Sequence, residues 1–219
     1  MKRISALLLV FACINAAAQN TKPAFWQDIQ NFRHQDSVQP PPAHPVLFVG
    51  SSSFTKWTDV QNYFPGYTIL NRGFGGSTLL DLLRYEEDVV FKYAPRQIVI
   101  YCGENDLAAS DTVTAKMVFD RFKNLFTEIR TVYPNVPVVF ISLKPSPSRW
   151  YMRDRAMAAN DMIEKYLKKE KNAEFVSVWK AMLGPNGEPM PDIFIEDHLH
   201  MNAKGYAIWQ KILQPYLIK

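Results

Sequence analysis

Apolar residues recur along the chain in short runs and in helical stripes, and the two alternate. Val46-Leu47-Phe48-Val49, Thr68-Ile69-Leu70, Gln97-Ile98-Val99-Ile100-Tyr101-Cys102, Val136–Ser142 and Glu174–Val178 are compact apolar runs bounded by Gly, Pro or polar clusters. Such runs predict buried strands of a parallel sheet. Between them lie segments with apolar residues three and four apart. The clearest is 112–133, where Val118, Phe122, Leu125, Phe126 and Ile129 form one face; 79–93, 153–169 and 203–217 read the same way. Phe54–Phe64, with Trp57, Val60 and Tyr63, carries a partial helical pattern closed by Pro65-Gly66. Strands alternating with helices of ten or more residues imply right-handed crossovers and a mainly parallel sheet covered on both faces. The expected fold is one three-layer α/β/α domain. No internal repeat and no second apolar core is evident.

The N-terminus departs from this pattern. Met1-Lys2-Arg3, the apolar run Ile4–Ile14 and Ala16-Ala17-Ala18-Gln19 have the charged, apolar and small-residue regions of a secretory signal peptide, with cleavage expected after Ala18. The run is too short to span a bilayer, and nothing later is long enough. An exported protein, periplasmic or extracellular, is expected. Cys13 offers lipid anchoring as the lesser reading, because bulky Phe11 stands where a small residue would precede a lipidated cysteine. Residues 19–45 form a lead-in, with Phe25-Trp26, Ile29 and Phe32 spaced for a short amphipathic helix that the Pro40-Pro41-Pro42 run ends. The domain proper is 46–219.

Removing residues 1–18 leaves 201 of 219 residues and lowers the formal charge from +4 to +2. That size supports a sizeable core, and that charge gives little argument for nucleic-acid binding. One cysteine remains, Cys102, so stability must come from packing and not from an intramolecular disulfide.

Four polar clusters fall where strands end or the last helix begins: Ser51-Ser52-Ser53, Gly75-Gly76, Asn105 and Asp197-His198-Leu199-His200, with Ser146 beyond the fourth strand. In a parallel sheet the carboxyl ends of all strands lie at one edge, where α/β proteins bind ligands. The set suits acyl transfer. A serine hydroxyl needs a base to take its proton, and His200 is the candidate base. Asp197, three residues earlier, can accept from the other ring nitrogen and fix the tautomer. Gly75 and Gly76 let the backbone approach a developing oxyanion, and the Asn105 amide can donate to it without adding charge. Taken singly, each has a plainer role: serines as turn and cap residues, the glycines as a turn, Asn105 as an Asx turn, Asp197 and His200 at a helix start.

Together the clusters closely resemble the GDSL-like, or SGNH-hydrolase, family of serine esterases and lipases. Gly50-Ser51-Ser52-Ser53 is similar to the family's first block and implies Ser52 as nucleophile. Asn71–Thr78 is similar to the second and implies Gly76 as an oxyanion donor. Gly103-Glu104-Asn105-Asp106 matches the third, Gly-x-Asn-Asp, and implies Asn105 as a second donor beside the Ser52 N–H. Asp197-His198-Leu199-His200 matches the last, Asp-x-x-His, and implies Asp197 and His200 as acid and base. The resemblance spans Val46 to about Leu217. It implies a flavodoxin-like five-stranded sheet in the order 2-1-3-4-5, a two-step acyl-enzyme mechanism and no cofactor. It departs at Ser51, which occupies the usual Asp position, and at His198, where a small residue often sits. No Gly-x-Ser-x-Gly elbow is present.

Arg149 and Trp150, with His198, are the expected substrate rim, and no metal site is expected. Short acyl groups on a carbohydrate are the expected substrate, with lysophospholipid or another small lipid ester as alternative. A metal-dependent hydrolase using Asp106, Asp197, His198 and His200 is the enzymatic competitor. A non-catalytic carbohydrate-binding protein, presenting Trp57 and Trp150, is the competitor of another class.

Overall fold

The computed structural model describes residues 22–219; the expected signal segment 1–18 and Cys13 lie outside them. The chain runs α1 (Trp26–Val38), β1 (Val46–Gly50), α2 (Ser52–Thr55), α3 (Val60–Tyr63), β2 (Ile69–Gly73), α4 (Leu79–Arg84), α5 (Glu86–Val89), β3 (Gln97–Tyr101), α6 (Glu104–Ala109), α7 (Ala115–Val132), β4 (Val138–Ile141), α8 (Arg153–Leu167), β5 (Ala173–Val176) and α9 (Ala203–Leu213). The five strands form one sheet in the order β2-β1-β3-β4-β5, and every pairing is parallel. This is the α/β/α arrangement that the residue pattern implies.

Side-chain alternation divides the core between the two faces. Leu47, Val49, Ile98, Ile100, Val138 and Phe140 point to one side, where residues of α1, α4, α5, α7 and α8 cover them. Val46, Phe48, Val99, Tyr101, Val139 and Ile141 point to the other, against Phe54, Trp57, Phe64 and the α9 residues Tyr206, Trp209 and Leu213. Strands buried on both faces have no polar alternation, which is why they read as continuous apolar runs. Trp57, expected to be exposed, is fully buried. It stacks on Tyr206 with ring centroids 4.8 Å apart.

The expected helices hold in place but not always in length. The 54–64 segment is two short turns, α2 and α3. The 79–93 segment breaks at Tyr85, whose φ of −114° and ψ of 17° are non-helical, and whose hydroxyl donates to Ala24 O at 2.6 Å. Pro215 ends α9 at Leu213 and leaves a 3₁₀ turn where helix was expected. The 103–106 cluster does more than close β3, because it opens α6. Thr78 caps α4 with a full capping box, exchanging bonds with Asp81.

The lead-in is an integral part of the domain. Ile29 on α1 is fully buried, Arg33 forms a two-pronged bond to Asp88 at 2.7 and 2.9 Å, and Asp36 accepts from buried Arg72 and from the Tyr93 hydroxyl.

The tightest point of the sheet is Gly50, with φ at 150°. A Cβ there would lie 1.9 Å from Tyr101 O, a distance no side-chain rotation relieves, because the backbone fixes where a Cβ sits and the oxygen is itself a backbone atom. Gly50→Ala is therefore expected to lose more than about 3 kcal/mol of stability, at the severe end for a single substitution. Urea unfolding of the purified variant checks this, with a midpoint near wild type as the contrary result.

Candidate active site

Strand ends and helix starts converge as parallel topology requires, and hydrogen bonds join one loop to the next. Gly50 O accepts from Phe74 N at 2.9 Å and from Ser77 Oγ at 3.2 Å. The loop after β1 and the glycine-rich loop after β2 are thereby tied together. Ser77 O in turn accepts from Asn105 Nδ2 at 2.9 Å, bringing in the loop after β3. Asn105 Oδ1 accepts from Arg149 Nη2 at 2.9 Å, which brings in the loop after β4. Ser148 donates through N and Oγ to His198 O at 3.1 and 3.0 Å, reaching the loop before α9. Tyr206 on α9 closes the circuit by donating to Ser53 O at 3.0 Å.

Ser52 is the first residue of α2. Ser51 and Ser53 beside it are buried, so Ser52 is the most accessible hydroxyl of the three. Ser51 N donates to Tyr101 O at 3.1 Å. Among the described residues, the backbone N–H groups of Ser52 and Gly76 donate to no backbone carbonyl. Gly76 holds φ at 87°, a left-handed conformation that suits glycine. The Phe25 ring of the lead-in stands 3.6 Å from where a Gly76 Cβ would sit. Nothing in the residue pattern of 19–45 marked Phe25 as a neighbour of the glycine loop.

His200 Nδ1 lies 2.5 Å from Asp197 Oδ2. The other Asp197 oxygen accepts from the backbone N–H groups of Leu199 and His200, both at 2.9 Å. The carboxylate thus organises its own turn and holds the ring by one nitrogen, and Nε2 has no hydrogen-bond partner among the described residues. Partial burial works against ionisation of Asp197, but the His200 ring and the two N–H donors outweigh it and bring its pKa to about 2. His198, at φ 54°, supplies the left-handed residue of this turn, and its carbonyl is the acceptor for Ser148. No hydrogen bond joins Ser52 Oγ to the His200 ring in this structure. Contacts of this kind are often loose before substrate binds.

The Gly-x-Asn-Asp block places four residues in four tasks. Gly103, at φ 122°, has no room for a Cβ, which would lie 3.0 Å from Val118 and 3.2 Å from Leu143. Asp106, fully buried, accepts from Leu79 N at 3.0 Å and from Arg121 Nη1 at 2.7 Å, clamping the start of α4 to α7. Burial raises its pKa above the usual range against the pull of Arg121 and Leu79 N–H. Glu104, also buried, takes Lys144 Nζ at 2.8 Å, Arg149 Nη1 at 3.4 Å, Ser146 Oγ at 3.2 Å and the Tyr101 hydroxyl. Burial opposes its charge, yet Lys144 and Arg149 hold its pKa below the usual carboxylate range. The partnership of Glu104 with Lys144 was not foreseeable from spacing, because forty residues separate them. Asn105 uses one Nδ2–H on Ser77 O, and the second has no hydrogen-bond acceptor among the described residues.

Of the expected rim, Arg149 turns inward onto Glu104 and Asn105. Trp150 stacks on Trp179 with centroids 6.0 Å apart. It also lines a groove of about 670 Å³ with Pro147, Met190 and Asp192. Among the described residues, no three His, Cys, Asp or Glu side chains gather as a metal-binding group, and Asp106 is committed to Leu79 and Arg121. No helix of the described residues is long and apolar enough to cross a membrane.

The sheet order and the loop chemistry at its carboxyl edge define an α/β/α protein of the SGNH-hydrolase fold. The chain belongs to the GDSL-like Lipase/Acylhydrolase family, whose model matches residues 47–208. None of the curated proteins matches it in sequence. Solved structures share the fold at low identity. One is a protein from Bacteroides fragilis named as an acylhydrolase, at TM-score 0.74 and 21% identity over 87% of this chain and 96% of the other. A GDSL-like lipase from Bacteroides thetaiotaomicron gives 0.71 and 21% over 86% and 96%. An acetyl-xylooligosaccharide esterase from Geobacillus gives 0.64 and 16% over 82% and 97%.

Asp197→Asn separates the two jobs of that side chain. The amide oxygen can still accept from Leu199 and His200 N–H, whereas Nδ2 would meet the ring N–H donor to donor. The variant is expected to fold and to lose on the order of 10² to 10⁴ in kcat. Because the folded pKa lies below the ordinary 3.8, the ionised carboxylate stabilises the protein above that value, and the contribution fades as pH falls through about 2. Acid unfolding between these limits is expected to be shallower in Asp197→Asn. Circular dichroism against pH beside steady-state kinetics checks both, and unchanged kcat would show that turnover does not depend on the Asp197 carboxylate orienting His200.

Proposed function

We propose that the protein is a serine ester hydrolase that removes short acyl groups, acetyl foremost, from carbohydrate substrates through an acyl-enzyme. The observation that carries this reading is the Asp197–His200 pair, already formed at 2.5 Å and tied by hydrogen bonds to the loops bearing Ser52, Gly76 and Asn105.

In the first step Ser52 Oγ bonds to the ester carbonyl carbon while its proton passes to His200 Nε2. The carbonyl π electrons move onto oxygen, which the N–H groups of Ser52 and Gly76 and the free Asn105 Nδ2–H stabilise. Collapse breaks the bond to the alkoxy oxygen, and His200 returns the proton to the departing alcohol. Water then attacks the acyl-enzyme, again losing a proton to His200, and the acid leaves as Ser52 regains its hydrogen. Asp197 stays ionised throughout, holding the imidazolium each time it forms. The mechanism calls on no cofactor.

A carbohydrate leaving group fits the groove beside Trp150. Its wall combines an indole, four prolines and Met190 with Asn186, Glu188 and Asp192, apolar surface and hydrogen-bonding edges together, which suits a sugar ring. The acetyl-xylooligosaccharide esterase that shares the fold is consistent with this choice. Export is part of the same proposal: a signal segment of residues 1–18 would place the enzyme among envelope or environmental polysaccharides.

Ser52→Ala is expected to abolish covalent labelling by an organophosphonate, whereas Ser51→Ala and Ser53→Ala retain an adduct that maps to Ser52. An adduct on either neighbour would move the nucleophile, and undiminished binding of a protein that never labels would favour a non-catalytic carbohydrate binder. Turnover on acetyl, butyryl and long-chain esters, with acetylated xylan included, is expected to fall steeply with acyl length; preference for lysophospholipid would establish the lipid alternative.

For export, intact mass of the protein from its native host is expected to begin near Gln19. Retained Met1 rejects cleavage, and a diacylated Cys13 shows a lipid anchor.

A further inference from the structure

Arg149 was expected at the substrate rim, and its guanidinium is partly buried against polar groups of the loop after β3. Its side chain is 19% exposed, and the same guanidinium reaches Glu104 Oε1 through Nη1 and Asn105 Oδ1 through Nη2. We propose that Arg149 is a positioning residue for Asn105, fixing which way the carboxamide faces and placing a positive charge behind the N–H that meets the oxyanion. The inference rests on the proposed role of Asn105 as an oxyanion donor.

Orientation follows from which groups can donate. Ser77 O can only accept and Arg149 can only donate, so Asn105 has one satisfactory orientation, with Nδ2 toward Ser77 and Oδ1 toward Arg149. The flipped amide would set N–H against guanidinium N–H and oxygen against carbonyl oxygen. Without Arg149 one of these two restraints is lost, and the remaining contact no longer holds the amide plane by both ends. The loop that carries Arg149 is itself fixed. Pro145 and Pro147 flank Ser146, whose hydroxyl bonds Glu104. Arg149 N donates to Ser146 O at 3.1 Å. At the loop's root, Asn160 brackets Leu143, accepting from its N–H at 2.8 Å and donating to its carbonyl at 3.0 Å.

Charge follows from counting. Glu104 supplies one carboxylate to two cations, Lys144 and Arg149. Lys144 holds the closer contact, at 2.8 against 3.4 Å, and also feels the Asp197 carboxylate, so the guanidinium is the less neutralised of the two cations. Through Oδ1 it polarises the carboxamide and strengthens the Nδ2–H donors. A carbonyl becoming an oxyanion gains more from this field than the neutral ester does, so the effect belongs to kcat.

The test is a double-mutant cycle on 4-nitrophenyl acetate, with near-UV circular dichroism and thermal unfolding as controls of fold. Asn105→Ala is expected to lose on the order of 10² to 10³ in kcat. Arg149→Met is expected to lose at least about tenfold in kcat with KM changed less than about threefold, and Arg149→Lys to recover part of the loss by restoring charge without the fork. In the Asn105→Ala background, Arg149→Met is expected to cost less than about twofold, because its agent is gone. Should Arg149→Met fail to fold, Arg149→Gln, which keeps a donor and loses the charge, carries the same comparison. A slow Asn105→Ala with a folded, fast Arg149 variant overturns this inference alone. Full additivity also overturns it, by showing that Arg149 does not act through Asn105. An Asn105→Ala enzyme with wild-type kcat instead overturns the oxyanion reading itself, and this inference with it.

Discussion

The backbone of β1 touches the backbone of β3 at Gly50, and the site depends on that approach. With no Cβ in the way, Ser51 N–H reaches Tyr101 O, and the chain leaves the sheet directly into the turn that presents Ser52. The same residue's carbonyl accepts two donors from the loop after β2. One glycine therefore sets the relative positions of three loops, and parallel pairing extends that register across the sheet. The positions of Gly76 and Asn105 follow from it, since Ser77 is bonded to Gly50 on one side and to Asn105 on the other.

A second organising principle is electrostatic. Placing Glu104, Lys144 and part of Arg149 out of water costs free energy that ion pairing only partly returns, and apolar residues of similar volume would serve stability as well. The hydrogen-bond pattern supplies what apolar packing cannot, which is direction. Tyr101, Ser146, Lys144 and Arg149 all address one carboxylate, so the loops after β3 and β4 are held by directed bonds at the point where the sheet's own ladder has ended. Asp106 acts similarly toward α4 and α7.

How much of this was legible follows from the range over which each feature is determined. The strands and their order could be read because double-faced burial writes long apolar runs, and alternation with helices allows few topologies. The Asp197–His200 contact was legible because three residues in a tight turn determine it. Tyr85 breaking its helix could not be read, because its partner, Ala24, lies 61 residues away. The inward turn of Arg149 was hidden for the same reason: beside Trp150 and Tyr151 it looks like a surface residue, and only the buried Glu104 of another loop explains it. Trp57 misled in the opposite sense, since the sequence offered no sign of the α9 rings that enclose it. Local chemistry was readable, and long-range pairing of single polar groups was not.

The helix α1 and the residues just ahead of it fasten themselves through groups 36 to 61 residues further along the chain. Those contacts are non-local, so the entropy of closing the intervening chain must be met before they contribute. The segment is thus a latch on β2 and on the stretch around α5. Because Phe25 stands against Gly76, the same segment also forms one wall beside the glycine-rich loop after β2. Removal of the chain through Phe25 would take that wall away, so the stretch ahead of α1 is itself a structural parameter of the site.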